Sequence, residues 1–371
     1  METTPWGEPI GGADTAVSQR FTLSDMQQAG EMIMLTLSGP DTYFEYHGRG
    51  MGTQFLLCEK FAQHLGLSLR VEVCKDTAEL LGKLSRGEGD LIAVQLPRTN
   101  GKLQYCGYGV DSLATSWAVN RDNAEFADSL RSWYRPQLLA DVEREERYFF
   151  SARSVQRRTY APVLNAKGGV ISSYDHLFQK YAPQARWDWR LLAAQCYQES
   201  AFDPKAHSWA GACGLMQIMP STARAIGLSE DDLFDPEANI AAAAYYIAQL
   251  TGRFRDIPNA SERINYVLAS YNGGFFHIRD AMTLTRKHGG DPHRWADVAP
   301  YVLRLSDPAY YRDPDVKYGY MRGQETVGYV ARIRDRWASY RGVAHASTGS
   351  SSFSGSGHSP RQAKKKNRFS L

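Results

Sequence analysis

The sequence has no long hydrophobic run. No stretch of its 371 residues approaches the roughly 20 consecutive apolar residues of a membrane-spanning helix. The most apolar patch, at 240–250, is interrupted and amphipathic. Residues 1–7 have neither a basic flank nor an apolar segment, so no signal peptide is predicted. The sequence therefore excludes a protein built on membrane-spanning helices.

A strong net charge and paired-cysteine motifs are also missing. The 43 basic and 40 acidic side chains leave a formal charge of +3, and residues 361–368 alone contribute five basic side chains without an acid. A nearly neutral body does not favour a nucleic acid as partner. The five cysteines show no CxxC spacing, and no histidine has companions at a metal-ligand spacing. We therefore expect no metal site and no cofactor.

What the chain does have is the composition of a globular protein, with 43% hydrophobic and 22% charged residues, and a length that predicts about two domains. In its first part, strand and helix patterns alternate. Residues 67–73 alternate apolar and polar side chains, 53–64 has helical spacing, and Asp76 is the expected N-cap of a further helix. This alternation predicts a small parallel α/β domain at 29–150, preceded by an N-terminal arm at 1–28.

The patterns become helical in the second part of the chain. Asp188, Asp235 and Ser261 are expected to cap three of its helices. We assign an all-α domain to residues 174–342. The predicted fold class is therefore α+β multidomain.

Two charged or polar segments mark the limits of the domains. Residues 141–158 are rich in charge and have little apolar periodicity, which indicates a boundary, and we place a linker at 151–173. Residues 343–371 are first rich in Ser and Gly and then basic, a composition typical of a disordered tail.

Glu199 is the residue with the clearest chemical meaning. It lies at the C-terminal end of an apolar helix pattern, within Gln198-Glu199-Ser200. The negative end of the helix dipole and apolar neighbours both raise the pKa of a carboxyl group, as a general acid working near neutral pH requires. On the residues alone, a solvated surface glutamate remains the alternative.

Other side chains in this part of the sequence suit a carbohydrate ligand. Gln217 and Asn272 can hydrogen-bond sugar hydroxyl or acetamido groups, while Tyr271 and Tyr329 offer stacking faces and hydroxyls. The run that follows Tyr271 is also compatible with a simple helix stop.

Five sequence blocks, in this order, closely resemble the catalytic domain of the soluble lytic transglycosylases, which is goose-lysozyme-like. The blocks are Glu199-Ser200, Gly214-Leu215-Met216-Gln217, Asn239-Ile240, Ser270-Tyr271-Asn272-Gly273, and Glu325-Thr326 with Tyr329-Val330. Where the family has Ala-Tyr-Asn, this chain has Ser270. The resemblance covers roughly residues 174–340.

This resemblance implies roles for individual residues. Glu199 is implied as the catalytic acid and base. The implied substrate-binding residues are Ser200, Ser208, Gly214, Met216, Gln217, Tyr271, Asn272 and Tyr329. The implied reaction cleaves the MurNAc–GlcNAc β-1,4 bond of peptidoglycan and forms 1,6-anhydro-MurNAc. One carboxylate suffices for it because the nucleophile is the sugar's own C6 hydroxyl.

Two other functions stay open. A lysozyme-type muramidase normally needs a second acid, for which Asp188, Asp203 and Glu325 are candidates. A non-catalytic wall-binding or sensing protein needs none. Cys196 and Cys213 flank the implied site and are expected either to pair or to be buried as small apolar residues.

The N-terminal domain resembles one lobe of the periplasmic solute-binding fold through residues 50–55, 67–73, 78–93 and 116–123. Together, the two resemblances indicate the membrane-bound lytic transglycosylase F type. The match covers about 31–134, half the length of two lobes, so we expect a regulatory or docking lobe. The implied partners of the whole chain are peptidoglycan glycan strands, with a small ligand or muropeptide at this lobe. The substrate implies the periplasm or cell envelope, with outer-membrane attachment through a removed lipid anchor.

Overall fold

The computed structural model describes residues 22–151, 155–156 and 169–341. The tail predicted at 343–371, most of the predicted linker and most of the predicted arm lie outside these ranges. The end of the arm is described and forms helix α1 (Leu23–Ala29), which begins at a capping box between Thr22 and Asp25. Because Met26 is buried in the core, α1 is part of the α/β domain rather than a free arm.

The α/β domain contains a five-stranded sheet with the order β4-β1-β5-β7-β6. Its strands are β1 (Glu31–Leu37), β4 (Ser68–Cys74), β5 (Leu91–Pro97), β6 (Leu103–Val110) and β7 (Thr115–Asn120). The predicted parallel arrangement is confirmed for β1, β4 and β5. The sheet as a whole is mixed, because β7 pairs antiparallel with both β5 and β6. The short connection between β6 and β7 permits only antiparallel pairing.

A separate two-stranded hairpin follows β1. It consists of β2 (Phe44–Tyr46) and β3 (Arg49–Met51), joined by His47 and Gly48. Both linking residues have left-handed backbone conformations, with φ of 49° and 71°. A two-residue connection with positive φ at both positions suits the twist of an antiparallel hairpin.

Further helices belong to this domain and lie within its predicted range, 29–150. They are α2 (Thr53–His64), α3 (Thr77–Arg86), α4 (Ala124–Trp133) and α5 (Pro136–Phe149). Asp76 caps α3 as predicted, its side chain accepting from the Glu79 backbone N–H at 2.8 Å. Residues 141–149, the first half of the charged segment predicted as a boundary, instead belong to α5, which packs against α2. Only Val142 and Phe149 of α5 are buried, too few apolar positions to reveal the helix in the sequence.

The second domain is helical, as predicted. Its helices are α6 (Asp175–Ala185), α7 (Trp189–Ser200), α8 (Pro220–Ile226), α9 (Pro236–Arg253), α10 (Ala260–Gly273), α11 (Phe275–Lys287), α12 (Trp295–Arg304), α13 (Pro308–Tyr311) and α14 (Gly323–Arg341). Asp188 and Asp235 cap α7 and α9 as predicted. The cap of α10 is Asn259 rather than Ser261, whose backbone N–H is one of the two groups that the Asn259 side chain accepts from.

The hairpin β2–β3 attaches the α/β domain to the helical domain. Phe44 packs edge-on against Tyr320, with ring centroids 4.9 Å apart. Ser38, directly after β1, accepts a hydrogen bond from the Tyr320 backbone N–H at 2.8 Å. Buried residues of both domains therefore form one continuous apolar core.

The five cysteines are all buried and free, so Cys196 and Cys213 are small buried residues and the alternative of a disulfide between them is wrong. Among the helices of the described ranges, none combines the length and apolar character that crossing a membrane requires. In the same part of the chain, His, Cys, Asp and Glu side chains form no cluster suited to a metal ion.

Candidate active site

Glu199 lies in a groove of about 880 Å³ between the two domains. It is the penultimate residue of α7, and the chain turns sharply after the helix because Ala201 and Phe202 both adopt left-handed backbone conformations, with φ of 53° and 64°. This turn leaves the end of α7 at the groove wall. The carboxyl group is therefore held by a rigid, buried helix and faces a cavity large enough for sugar residues.

Tyr329 holds Glu199 from the neighbouring helix. The hydroxyl of Tyr329, on α14, donates to Glu199 Oε1 at 2.5 Å. The same hydroxyl oxygen accepts from Gln195 Nε2 at 3.2 Å. Because the Gln195 N–H occupies a lone pair of the Tyr329 oxygen, the single tyrosine proton is directed at Glu199. Gln195 is fully buried one turn before Glu199 on α7.

Tyr271 supports the same region from α10. Its hydroxyl donates to the Met216 carbonyl oxygen at 2.8 Å. Burial first, and then the charge of Glu199, raise the pKa of Tyr271 and of Tyr329 well above the usual tyrosine range. Both phenols therefore stay protonated and act as hydrogen-bond donors throughout the neutral range.

The loop that carries Gln217 is folded around the buried Asn239 of α9. Asn239 Oδ1 accepts from the Met216 N–H at 2.8 Å, and its Nδ2 donates to the carbonyl oxygens of Leu233 and Cys213 at 2.7 and 3.1 Å. A Cβ atom at Gly214 would lie 2.6 Å from Asn239 Nδ2, so only glycine fits there.

Replacing Asn239 by Ala is expected to destabilise the protein by about 3 kcal/mol, because the buried Met216 N–H and Leu233 carbonyl oxygen lose their partner and the Cys213 carbonyl oxygen keeps only the Ile218 N–H. Thermal unfolding followed by circular dichroism measures this loss. Asn259→Ala is the matched control, since it removes only an exposed helix cap, worth about 1 kcal/mol. Equal shifts in the two variants would contradict the role of Asn239 as the centre of the loop.

Five of the predicted substrate-binding residues line the groove, namely Ser208, Gln217, Tyr271, Asn272 and Tyr329. Several of their polar atoms also hold the site together. Gln217 Nε2 donates to the carbonyl oxygens of Ala206 and Gly214, and Asn272 Oδ1 accepts from the Thr326 hydroxyl at 2.8 Å.

The other three predicted substrate-binding residues lie outside the groove wall. Ser200 is fully buried and donates to the Cys196 carbonyl oxygen at 3.2 Å. Met216 is fully buried, and Gly214 is enclosed beside Asn239. We therefore revise the prediction for Ser200, Gly214 and Met216 from substrate contact to support of the groove from behind.

The three candidates for a second acid have different surroundings. Asp188 caps the opposite end of α7, roughly 16 Å from Glu199 at the rise of an α-helix. Asp203 is buried in the turn after α7, where it accepts from the Lys205 N–H at 2.9 Å. Glu325 alone shares the groove wall with Glu199. Its carboxylate is bound by the Arg322 guanidinium at 2.6 Å and by the hydroxyl of Tyr46 at 2.5 Å.

An exposed aromatic pair forms another part of the groove wall. Phe276 and Tyr318 are 47% and 46% exposed, and their rings stack at 4.4 Å with an interplanar angle of 15°. Flat apolar surface beside hydrogen-bonding groups is the type of wall that suits a sugar ring. Neither residue could be predicted from the sequence, because an aromatic at a helix start or in a loop has no distinguishing pattern.

The helical domain matches the profile of a known family, and known proteins are similar to most of the chain. The family profile of the transglycosylase SLT domain matches residues 176–293. A membrane-bound lytic murein transglycosylase F of Desulfosudis oleivorans is 28% identical over 84% of this chain and 90% of its own length. One of Vibrio campbellii is 37% identical over 76% of this chain, which spans only 53% of that relative.

Solved structures similar to parts of the chain include two types of protein. The 70 kDa soluble lytic transglycosylase in complex with bulgecin A covers 46% of this chain and 24% of its own at 27% identity and a TM-score of 0.32. The arginine-bound form of domain 1 from TmArgBP covers 32% of this chain and 97% of its own at 16% identity and a TM-score of 0.27.

Proposed function

We propose that the chain is a peptidoglycan lytic transglycosylase with Glu199 as its catalytic residue, since the profile of the transglycosylase SLT domain matches residues 176–293 of its helical domain. The observation that carries the proposal is the position of Glu199: a carboxyl group at the end of a buried helix, hydrogen-bonded by Tyr329 and open to a groove of about 880 Å³. The proposed substrate is the β-1,4 bond between MurNAc and GlcNAc.

The first half of the reaction requires an acid. Protonated Glu199 donates its proton to the glycosidic oxygen, and the bond between that oxygen and C1 of MurNAc breaks with the electron pair leaving on oxygen. The positive charge that develops at C1 is relieved by the substrate's own N-acetyl group. Tyr329 keeps the Glu199 carboxyl group in a fixed orientation during this step, because it holds one of the two carboxyl oxygens.

The second half of the reaction requires a base. Glu199, now a carboxylate, takes the proton from the C6 hydroxyl of MurNAc, and the C6 oxygen bonds to C1 to close the 1,6-anhydro ring. Glu199 ends protonated, ready for another turnover. No second protein carboxylate takes part in this sequence, which suits a groove in which Glu325 is already bound by Arg322 and Tyr46.

A lysozyme-type hydrolase is the second candidate function, because Glu325 does share the groove with Glu199. In that reaction water would attack C1, and the product would end in a reducing sugar. The two candidates differ in one property of the product, the presence or absence of the elements of water at the new MurNAc end.

Mass spectrometry of sugars released from purified peptidoglycan tests the proposal. The expected products end in 1,6-anhydro-MurNAc and are one water lighter than those of a muramidase. Products with reducing ends would establish the hydrolase instead. Release of no sugars by the wild-type protein would leave wall binding as the function.

The proposed substrate also suggests where the protein acts. We propose that the protein acts in the periplasm or cell envelope and is attached to the outer membrane, in line with the relatives named membrane-bound lytic murein transglycosylase F. We also propose the division into domains at 29–150 and 174–342, with the first extended to residue 22 because α1 packs on β1.

A further inference from the structure

The hairpin β2–β3 belongs to the α/β domain and yet lines the groove that holds Glu199. Its tip, His47 and Gly48, and the neighbouring Tyr46 all contribute to the groove wall. The backbone at Gly48 approaches Met219 of the helical domain closely, since a Cβ there would lie 3.6 Å from the Met219 side chain. The groove is therefore complete only when both domains are present.

Aromatic and cationic side chains fix the hairpin in this place. Tyr46 lies parallel to Trp209 of the helical domain, with ring centroids 6.2 Å apart and an interplanar angle of 9°. Trp209 in turn stacks on Phe149 at 3.8 Å, and the Arg49 guanidinium lies over both of these rings. A contact built from several stacked groups holds a fixed geometry, as a binding wall requires.

The hairpin is also linked to the helix that carries Tyr329. The Tyr46 hydroxyl donates to Glu325, in the first turn of α14, and Tyr329 lies one turn further along the same helix. Arg322, the second partner of Glu325, packs on Phe150 of the α/β domain at 3.8 Å. The hairpin thus contacts the same framework that positions Glu199.

The edge of the α/β domain where solutes commonly bind is closed by the helical domain. In open α/β sheets, ligands bind beyond the carboxyl ends of parallel strands. Here Ser38, directly after β1, is bound by the Tyr320 N–H, and a Cβ at Gly319 would overlap the Ser38 side chain. This edge is therefore a domain interface, and the hairpin that leaves it points into the groove.

We propose that the hairpin β2–β3 is a wall of the glycan-binding groove and that His47 at its tip contacts the sugar backbone of the bound strand. This inference rests on the proposed function. Burial lowers the pKa of His47, so the ring is neutral near neutral pH and offers one N–H donor and one nitrogen acceptor. That pair suits the hydroxyl and acetamido groups of an uncharged sugar.

The variant His47→Gly tests this contact without straining the turn, because glycine adopts the left-handed conformation of residue 47 readily. We expect the substrate concentration for half-maximal rate to rise by about three- to tenfold, as for the loss of one or two hydrogen bonds, with kcat little changed. Leu113→Ser, at a 70% exposed site of the same domain, is the matched control and should behave like the wild type.

A binding measurement separates this inference from the proposed function. Sedimentation with insoluble peptidoglycan compares His47→Gly with its parent in a Glu199→Gln background, where turnover is too slow to degrade the substrate during the measurement. Weaker binding of the double variant supports the contact, and equal binding overturns it. A higher rate of His47→Gly than of the wild type would also overturn it, because the hairpin would then obstruct the groove.

Peptide-free glycan strands identify the part of the substrate that is contacted. An equal loss of binding on these strands and on intact peptidoglycan supports contact with the sugar backbone. A loss of binding confined to intact peptidoglycan assigns His47 to the stem peptide and overturns the inference as stated. His47→Asn, which also tolerates the left-handed conformation, serves as a second variant if the glycine variant folds poorly. Failure of the wild type to release anhydro sugars would instead count against the proposed function.

Discussion

Glu199→Gln is expected to lower turnover of peptidoglycan by about three orders of magnitude, the range typical for loss of a general acid–base group. The amide has the shape of the carboxyl group but cannot donate the proton to the leaving oxygen or accept one from the C6 hydroxyl. Since Glu199 performs both steps in the proposed reaction, the substitution removes both the acid and the base. The rate of sugar release from purified peptidoglycan measures the loss.

The variant should fold and bind normally. Tyr329 can still donate to the side-chain oxygen of a glutamine at position 199, so the unfolding temperature should stay within a few degrees of the wild type. Glu325→Gln is the informative comparison, because its carboxylate shares the groove but is bound by Arg322 and Tyr46. A loss at Glu325 as large as the loss at Glu199 would mean that the reaction uses two acids.

Tyr329→Phe is expected to lower kcat by about 10- to 100-fold, with little change in the substrate concentration for half-maximal rate. The variant removes a hydrogen bond to a group that carries charge during the reaction, and such bonds are worth roughly 1.5–3 kcal/mol. It also leaves the buried Gln195 amide without its acceptor. Initial rates over a range of peptidoglycan concentrations separate kcat from half-saturation.

Two further variants show whether the loss of kcat comes from the hydrogen bonds that link Gln195, Tyr329 and Glu199. Tyr340→Phe, about three turns further along α14 and outside the groove wall, should retain nearly full activity. Gln195→Leu should lose less than Tyr329→Phe, because it removes only the group that orients the tyrosine proton. Full activity in Tyr329→Phe would show that Glu199 needs no hydrogen bond from α14.

Features set by neighbouring residues could be predicted from the sequence. Asp76, Asp188 and Asp235 cap helices as expected, because a cap requires only a side-chain acceptor beside the first backbone N–H groups. Helix α5 could not be predicted in the same way, since its buried face consists of only two side chains. The mixed sheet was missed because a strand pattern does not state the direction of pairing.

The same distinction holds for the residues of the candidate site. Glu199, Tyr271 and Tyr329 were found because they lie in blocks that resemble a known family, and the structure brings them together at one groove. The partners that depend on distant parts of the chain were not found. Tyr46 lies 279 positions before Glu325, and only the packing of one domain on the other brings the two together. Gln195 lies one turn before Glu199 in the sequence, but a buried glutamine is not itself a catalytic group, and its role depends on its contact with Tyr329.

In the proposed reaction the sugar's own C6 hydroxyl, rather than water, attacks C1 with the help of Glu199 alone. Digestion of purified peptidoglycan in water enriched in heavy oxygen tests it directly, with the released sugars analysed by mass spectrometry. We expect the new MurNAc ends to carry no heavy oxygen, because water takes no part in forming them. Incorporation of one heavy oxygen atom at each new end would contradict the account and make the protein a hydrolase.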